Sequence, residues 1–167
     1  MNIGLLVLRL AVGLTMAAHG GQKLFGWFGG YGIAGTGGFM ESLGFRPGKV
    51  HATLAGLAEF GGGLLIALGL LTPVGSALLI MVMVAAIGSV HLPKGFWVTD
   101  GGFEYNLMIL CSAAALAFTG PGAYSLDAVQ GLELFGWLPG IVAVIAGFVL
   151  GGGALASRRA APAVRHP

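Results

Sequence analysis

The chain has 167 residues, of which 8% are charged and 56% hydrophobic, with a formal net charge of +2 and a mean hydropathy of +0.92. A soluble domain of this length could not bury so much apolar surface, so the composition excludes one and requires an integral membrane protein. The single cysteine, Cys111, excludes an internal disulfide and any paired-cysteine redox or iron–sulfur set, and neither a flavin fingerprint nor a basic nucleic-acid patch occurs.

Five apolar stretches read as spans. The first runs from about Ile3 to Leu24; it lacks a basic leader and contains Arg9, so it reads as a retained helix rather than a signal peptide. Phe25, Trp27 and Phe28 follow as an aromatic anchor at the membrane interface. A glycine-rich loop then holds one short amphipathic piece around Phe39, Met40 and Leu43. Pro47, suited to a helix's first turn, opens the second span, which ends at Leu71. Thr72 is expected to cap the third span from Pro73, making a tight helical hairpin. That span stops at His91-Leu92-Pro93. A polar loop through Lys94 and Asp100 leads to the fourth, about Phe103 to Thr119, closed by Gly120 and Pro121. Tyr124 to Phe135 reads as interfacial, and a fifth span is expected from about Trp137 to Ala156. The recurrence of Leu24-Phe25-Gly26-Trp27 as Leu134-Phe135-Gly136-Trp137 reads as repeated interfacial anchoring, not duplication.

Charge supports the fifth span. With five, Lys23, Arg46, Lys49, Lys94, Arg158, Arg159 and Arg165 all fall on one side; with four, the three tail arginines move across. The positive-inside rule therefore predicts an outside N-terminus and a cytoplasmic basic tail. The expected fold is an all-α transmembrane bundle: a four-helix domain over 1–127, an interfacial segment and fifth span over 128–157, and the tail over 158–167.

With so few charges, each one inside a span carries information. Glu59 lies mid-span, where a carboxylate costs roughly 2.5–3.5 kcal/mol on insertion scales and marks a pair, a pathway or a site. It shares a face with Ala52, Ala55, Gly56, Gly62 and Gly63, small residues that permit close helix contact. On the first helix Arg9, Met16, His19 and Lys23 form one stripe; on the fourth, Glu104, Met108, Cys111, Ser112, Ala115 and Thr119 form another. Depths counted from the loops place Arg9 within reach of Glu59, so an Arg9–Glu59 ion pair is expected, with Glu104 as the alternative partner of Lys23 or His19. Such a pair serves either as a packing register or as part of a site. Cys111, Met81 and Met83 read as packing residues, and no metal site is expected.

Several phrases carry a family resemblance. They are Leu8-Arg9, His19-Gly-Gly-Gln-Lys23-Leu-Phe-Gly26, Ala58-Glu59-Phe-Gly-Gly-Gly-Leu-Leu65 and Gly69-Leu-Leu-Thr-Pro73. His91-Leu-Pro-Lys-Gly-Phe96, Gly101-Gly-Phe-Glu104-Tyr105 and Thr119-Gly-Pro-Gly-Ala-Tyr-Ser-Leu-Asp127 continue the series. From about Leu5 to Asp127 the chain resembles the DoxX family of small membrane proteins. The resemblance implies a four-helix bundle in a bacterial inner membrane, from which the stretch after Asp127 departs. It implies a functional set of Arg9, His19, Lys23, Glu59, His91 and Glu104. It also implies an association with thiosulfate:quinone oxidoreductase subunits, or with soluble redox enzymes of superoxide dismutase or sulfurtransferase type.

Three functions follow as expectations. The first is a membrane subunit of redox, oxidative-stress or sulfur metabolism that offers a quinone-type pocket, with Glu59 or Glu104 as proton relay. It needs no intrinsic cofactor; one of its own would have to be held by histidines such as His19 and His91, or sit on a partner. The second is a non-catalytic anchor that docks soluble enzymes through the Gly26–Arg46 loop and the basic tail. The third is a small-molecule transporter lined by Arg9 and Glu59. A homo-oligomer is compatible with each.

Overall fold

Backbone polar groups in a bilayer must be satisfied within the segment that carries them, which leaves the helix as the local solution for apolar stretches of this length. The computed structural model describes residues 2–159, and among these every regular element is helical. The elements are α1 (Asn2–Phe25), α2 (Gly32–Ser42), α3 (Gly48–Leu68), α4 (Thr72–Ala86), α5 (Glu104–Thr119), α6 (Leu126–Val129) and α7 (Trp137–Ala156). A π turn, Ile87–His91, and a 3₁₀ turn, Leu92–Lys94, extend α4. Four helices are long and apolar enough to cross a membrane: Asn2–Phe25, Gly48–Leu68, Thr72–Lys94 and Trp137–Ala156. The fifth apolar helix, α5, is shorter, at 16 residues. The expected all-α bundle is therefore present, with α7 as its added helix.

Glycine sets the register between α1 and α3, the most extensive helix contact. A methyl group on Gly13 would lie 2.5 Å from the Ala67 nitrogen, and one on Gly20 would lie 2.3 Å from the Phe60 nitrogen. The two backbones touch, and Gly20 sits level with Gly56–Phe60. Met16, Ile66, Leu79, Ile80, Ile109 and Leu116 fill the core between α1, α3, α4 and α5. Helix α7 packs outside against α4 and α5, where a methyl on Gly147 would meet the Ile80 Cβ at 2.6 Å.

Beyond α7 the Arg159 amide donates to the Gly44 carbonyl (2.8 Å) and the Arg158 Nε to the Leu43 carbonyl (2.7 Å). The Arg158 guanidinium also lies over Phe45, 5.6 Å from the ring centre. The end of α7 thus shares a side with the start of α3, as an odd number of spans requires. The Arg158 side chain and the Arg159 backbone are thus tied to the fold's own loop, whereas Arg165 lies outside the described residues.

One expectation is corrected. Thr72 does not cap α4: its hydroxyl donates to Asp127 of α6 (2.9 Å), which also accepts from the Leu71 amide (2.8 Å) and the Thr72 amide (3.1 Å). The polar stripe of α5 faces outward, with Met108, Cys111, Ala115 and Thr119 exposed. Ser112 and Thr119 donate to the carbonyls of Met108 (2.7 Å) and Ala115 (2.9 Å), so their hydroxyls are satisfied within the helix. The buried face carries Asn106, Ile109, Ala113 and Leu116. In a bilayer both faces of a helix are apolar, and scattered hydroxyls do not distinguish them.

Candidate functional site

The last two turns of α1 present His19 and Lys23 to a space between α3, the π turn of α4 and the start of α5. Glu59 of α3 forms its charged wall. The Lys23 ammonium donates to both oxygens of the Glu59 carboxylate, which is only 3% exposed, while the Lys23 side chain keeps 26% of its surface open. Two features of the fold make this pair. Glu59 sits level with the last turns of α1, and side chains lean toward the N-terminus of their own helix. In an antiparallel pair, Lys23 leans into the bundle and Glu59 leans out to meet it.

The same geometry overturns the Arg9–Glu59 pair. Arg9 lies level with Gly69, ten residues along α3 from Glu59, an axial offset of about 15 Å. It also leans the other way. Arg9 is buried, with Nη1 donating to the Ala67 carbonyl (3.4 Å), Nη2 donating to the Tyr124 carbonyl, and the Asp127 carboxylate close enough to act on its charge. A methyl on Gly69, where φ is 63°, would lie 1.9 Å from Nη1, so this corner accepts only glycine. Glu104 is likewise not the partner of Lys23 or His19. As the first residue of α5 it leans back over the preceding loop and accepts from the Val98 amide (3.0 Å).

Four of the six expected residues therefore meet: His19, Lys23, Glu59 and His91 line one cavity of about 270 Å³. Tyr105 and Asn106 complete its polar wall, and Met16, Met83 and Ala86 its apolar one. Met83, expected to be an ordinary packing residue, is thus part of the cavity. The His91 Nδ1 lies 2.7 Å from the Gly101 carbonyl, which can only accept, so Nδ1 carries the proton. In the neutral ring Nε2 is then free as an acceptor. The π turn that carries His91 is a local widening of a kind found often at functional sites. The His19 ring packs 6.3 Å from that of Tyr105. Among the described residues no three His, Cys, Asp or Glu side chains gather as a metal-ligand set.

Sequence reasoning missed three residues. Tyr105 adjoins Glu104 in a motif already singled out, and only the packed position of α5 shows which of the two borders the cavity. Asn106, buried, with its amide 3.5 Å from the Met83 sulfur, is a polar residue in an apolar span and carried the same signal as Glu59. Asp127 lay outside any span, in a loop whose depth the sequence does not show.

Comparison with known proteins agrees with this architecture. The family model described as DoxX matches residues 4–92, more than half of the chain. Inner membrane protein YqjF of Escherichia coli is 34% identical over 126 residues, covering 75% of this chain and 91% of that protein. CatD of Bacillus subtilis, whose name carries the word oxidoreductase, is 31% identical over 75% of this chain and 86% of its own length. Inner membrane protein YphA of Escherichia coli is 30% identical, over 74% and 87%. No solved structure matches the chain. With several apolar helices in one bundle, this is a multi-pass membrane protein, and it belongs to the DoxX family.

Proposed function

We propose that the protein is a membrane subunit of redox or sulfur metabolism whose Lys23–Glu59 cavity takes a quinone-type headgroup. The observation that carries this reading is a buried ion pair forming one wall of a cavity between helices, rather than being sealed in packing. Ligand pockets run to roughly 300–1,000 Å³, so a space at the small end suits a single ring. Lys23 can donate to one ring carbonyl and favour the negative charge that reduction places there. The Tyr105 hydroxyl can donate to a ring carbonyl, the His91 Nε2 can accept from a hydroxyl of the reduced ring, and Glu59 can hold a proton for that ring. The name of CatD supports a redox setting. The cofactor-bearing enzyme would be a soluble partner, of superoxide dismutase or sulfurtransferase type, at the basic end of the bundle.

The test is purification from native membranes in mild detergent, with mass spectrometry of extracted quinones and co-purifying proteins. A short-chain quinone is then titrated against tryptophan fluorescence, since Trp97 adjoins the cavity residue Val98. Wild type should bind saturably and Lys23→Met about tenfold more weakly, the loss of one charge-assisted hydrogen bond to the ring carbonyl. A preparation that keeps soluble partners but neither contains nor binds quinone would move the assignment to a membrane anchor.

A further inference from the structure

A second cavity, of about 500 Å³, lies beneath α2. Gln22 of α1, Gly29 and Gly30 of the turn, and Tyr31, Thr36 and Phe39 bound it. It shares two residues, His19 and Lys23, with the Glu59 cavity. The two spaces are therefore neighbours across one turn of α1.

The α1–α2 connection is shaped to keep this space open. Gly29 (φ 76°) and Gly32 (φ 62°) fold the chain back over α1, and a methyl on Gly30 would lie 2.4 Å from the Gln22 Cα. The far end of α2 is pressed onto α3, where a methyl on Gly48 would lie 2.1 Å from the Gly37 carbonyl. Glycine backbone and the rings of Tyr31 and Phe39 supply most of the wall. The amide of Gln22 is tied to the Phe28 carbonyl (3.3 Å), and the charged group of this space, Lys23, stands at the edge shared with the Glu59 cavity.

We propose that the space beneath α2 is the second compartment of one ligand site: it holds the apolar chain of an amphiphile whose ring lies beside Lys23 and Glu59. This rests on the quinone-type reading above. Two sides of the Glu59 cavity differ in what they offer a hydrocarbon chain. One leads past Val98, Gly101 and Gly102 to a polar loop, where the chain would lie in water. The other passes His19 and Lys23 to aromatic and glycine walls at the level of Trp27 and Phe28, the interfacial anchor. Of these two, the second offers the chain apolar contacts, and each methylene moved out of water is worth about a fourfold gain in affinity.

The test compares 2,3-dimethoxy-5-methyl-1,4-benzoquinone with the same ring carrying a decyl chain, titrated against the full chain in one detergent. Wild type should bind the decyl compound at least about 100-fold more tightly than the bare ring. Thr36→Phe, which fills the compartment at a residue only 8% exposed, should cut that ratio to under about tenfold while leaving the bare-ring affinity within about twofold. Phe39→Ala, which opens a half-exposed wall and spares the interior, should reduce the same ratio, so the outcome does not hang on one variant folding. Detergent partitioning cancels between variants. A bare ring that binds wild type while both variants keep the full chain advantage would overturn the second compartment and leave the quinone reading standing. A bare ring that does not bind wild type would sink the quinone reading, and this compartment with it.

Discussion

The two ends of the bundle each bury an acid and a base, and they use them differently. At the end away from the basic loops, Asp127 accepts three hydrogen bonds from Leu71 and Thr72, and Arg9 donates to the carbonyls of Ala67 and Tyr124. These groups satisfy backbone around the α3–α4 turn: the anion meets the N-terminus of α4 and the cation meets the Ala67 carbonyl at the C-terminus of α3, each complementing the helix dipole it faces. The cation also meets the Tyr124 carbonyl before α6. At the basic end, Lys23, in the last turn of α1, and Glu59 are bonded to each other rather than to backbone. They border a cavity, and Lys23 stays partly open. Charge that is consumed by backbone holds a fold; charge that faces empty space between helices is available to a ligand.

That contrast makes graded predictions for unfolding in detergent. Asp127→Ala should cost most, about 3–5 kcal/mol, because it orphans the first turn of α4 and leaves Arg9 without a neighbouring negative charge. Gly69→Ala follows at about 2 kcal/mol, from a left-handed backbone and collision with Arg9; chemical denaturation with an unchanged m-value would check it. Lys23→Met should cost about 1–2 kcal/mol by stranding Glu59, and Lys23→Met with Glu59→Leu should recover most of that loss, as apolar replacement of a buried pair often does. A double variant no more stable than Lys23→Met would mean that the pair is structural after all. Tyr105→Phe should leave stability within about 0.5 kcal/mol and weaken ring binding about two- to tenfold, the worth of one hydrogen bond, measured by the same fluorescence titration. If Lys23→Met proved as costly as Asp127→Ala, the two ends would not differ in kind.

The stripe on α1 was readable because His19 and Lys23 are polar at helical spacing in a segment with almost nothing else polar. Glu59 stood out for the same reason. The stripe on α5 builds no site because Ser112 and Thr119 bond their own helix and the stripe faces outward. Arg9 stood out as a charge within a span but was wrongly paired and lies outside the cavity, since depth counted from loop ends ignores how far one helix slides along another. Asp127 went unnoticed because its partners are backbone amides 55 and 56 residues away, which leave no mark on side-chain pattern.

Span number, span length and the shared side of the basic residues follow from hydropathy and charge alone, because a bilayer imposes a thickness and a charge asymmetry on any chain that crosses it. Which acid meets which base does not follow. That depends on the sliding register of α1 against α3, set by backbone contact at Gly13, Gly20, Gly56 and Gly63, and on the direction in which each side chain leans. Only the packed helices bring Lys23, and not Arg9, to Glu59 at the wall of an open cavity.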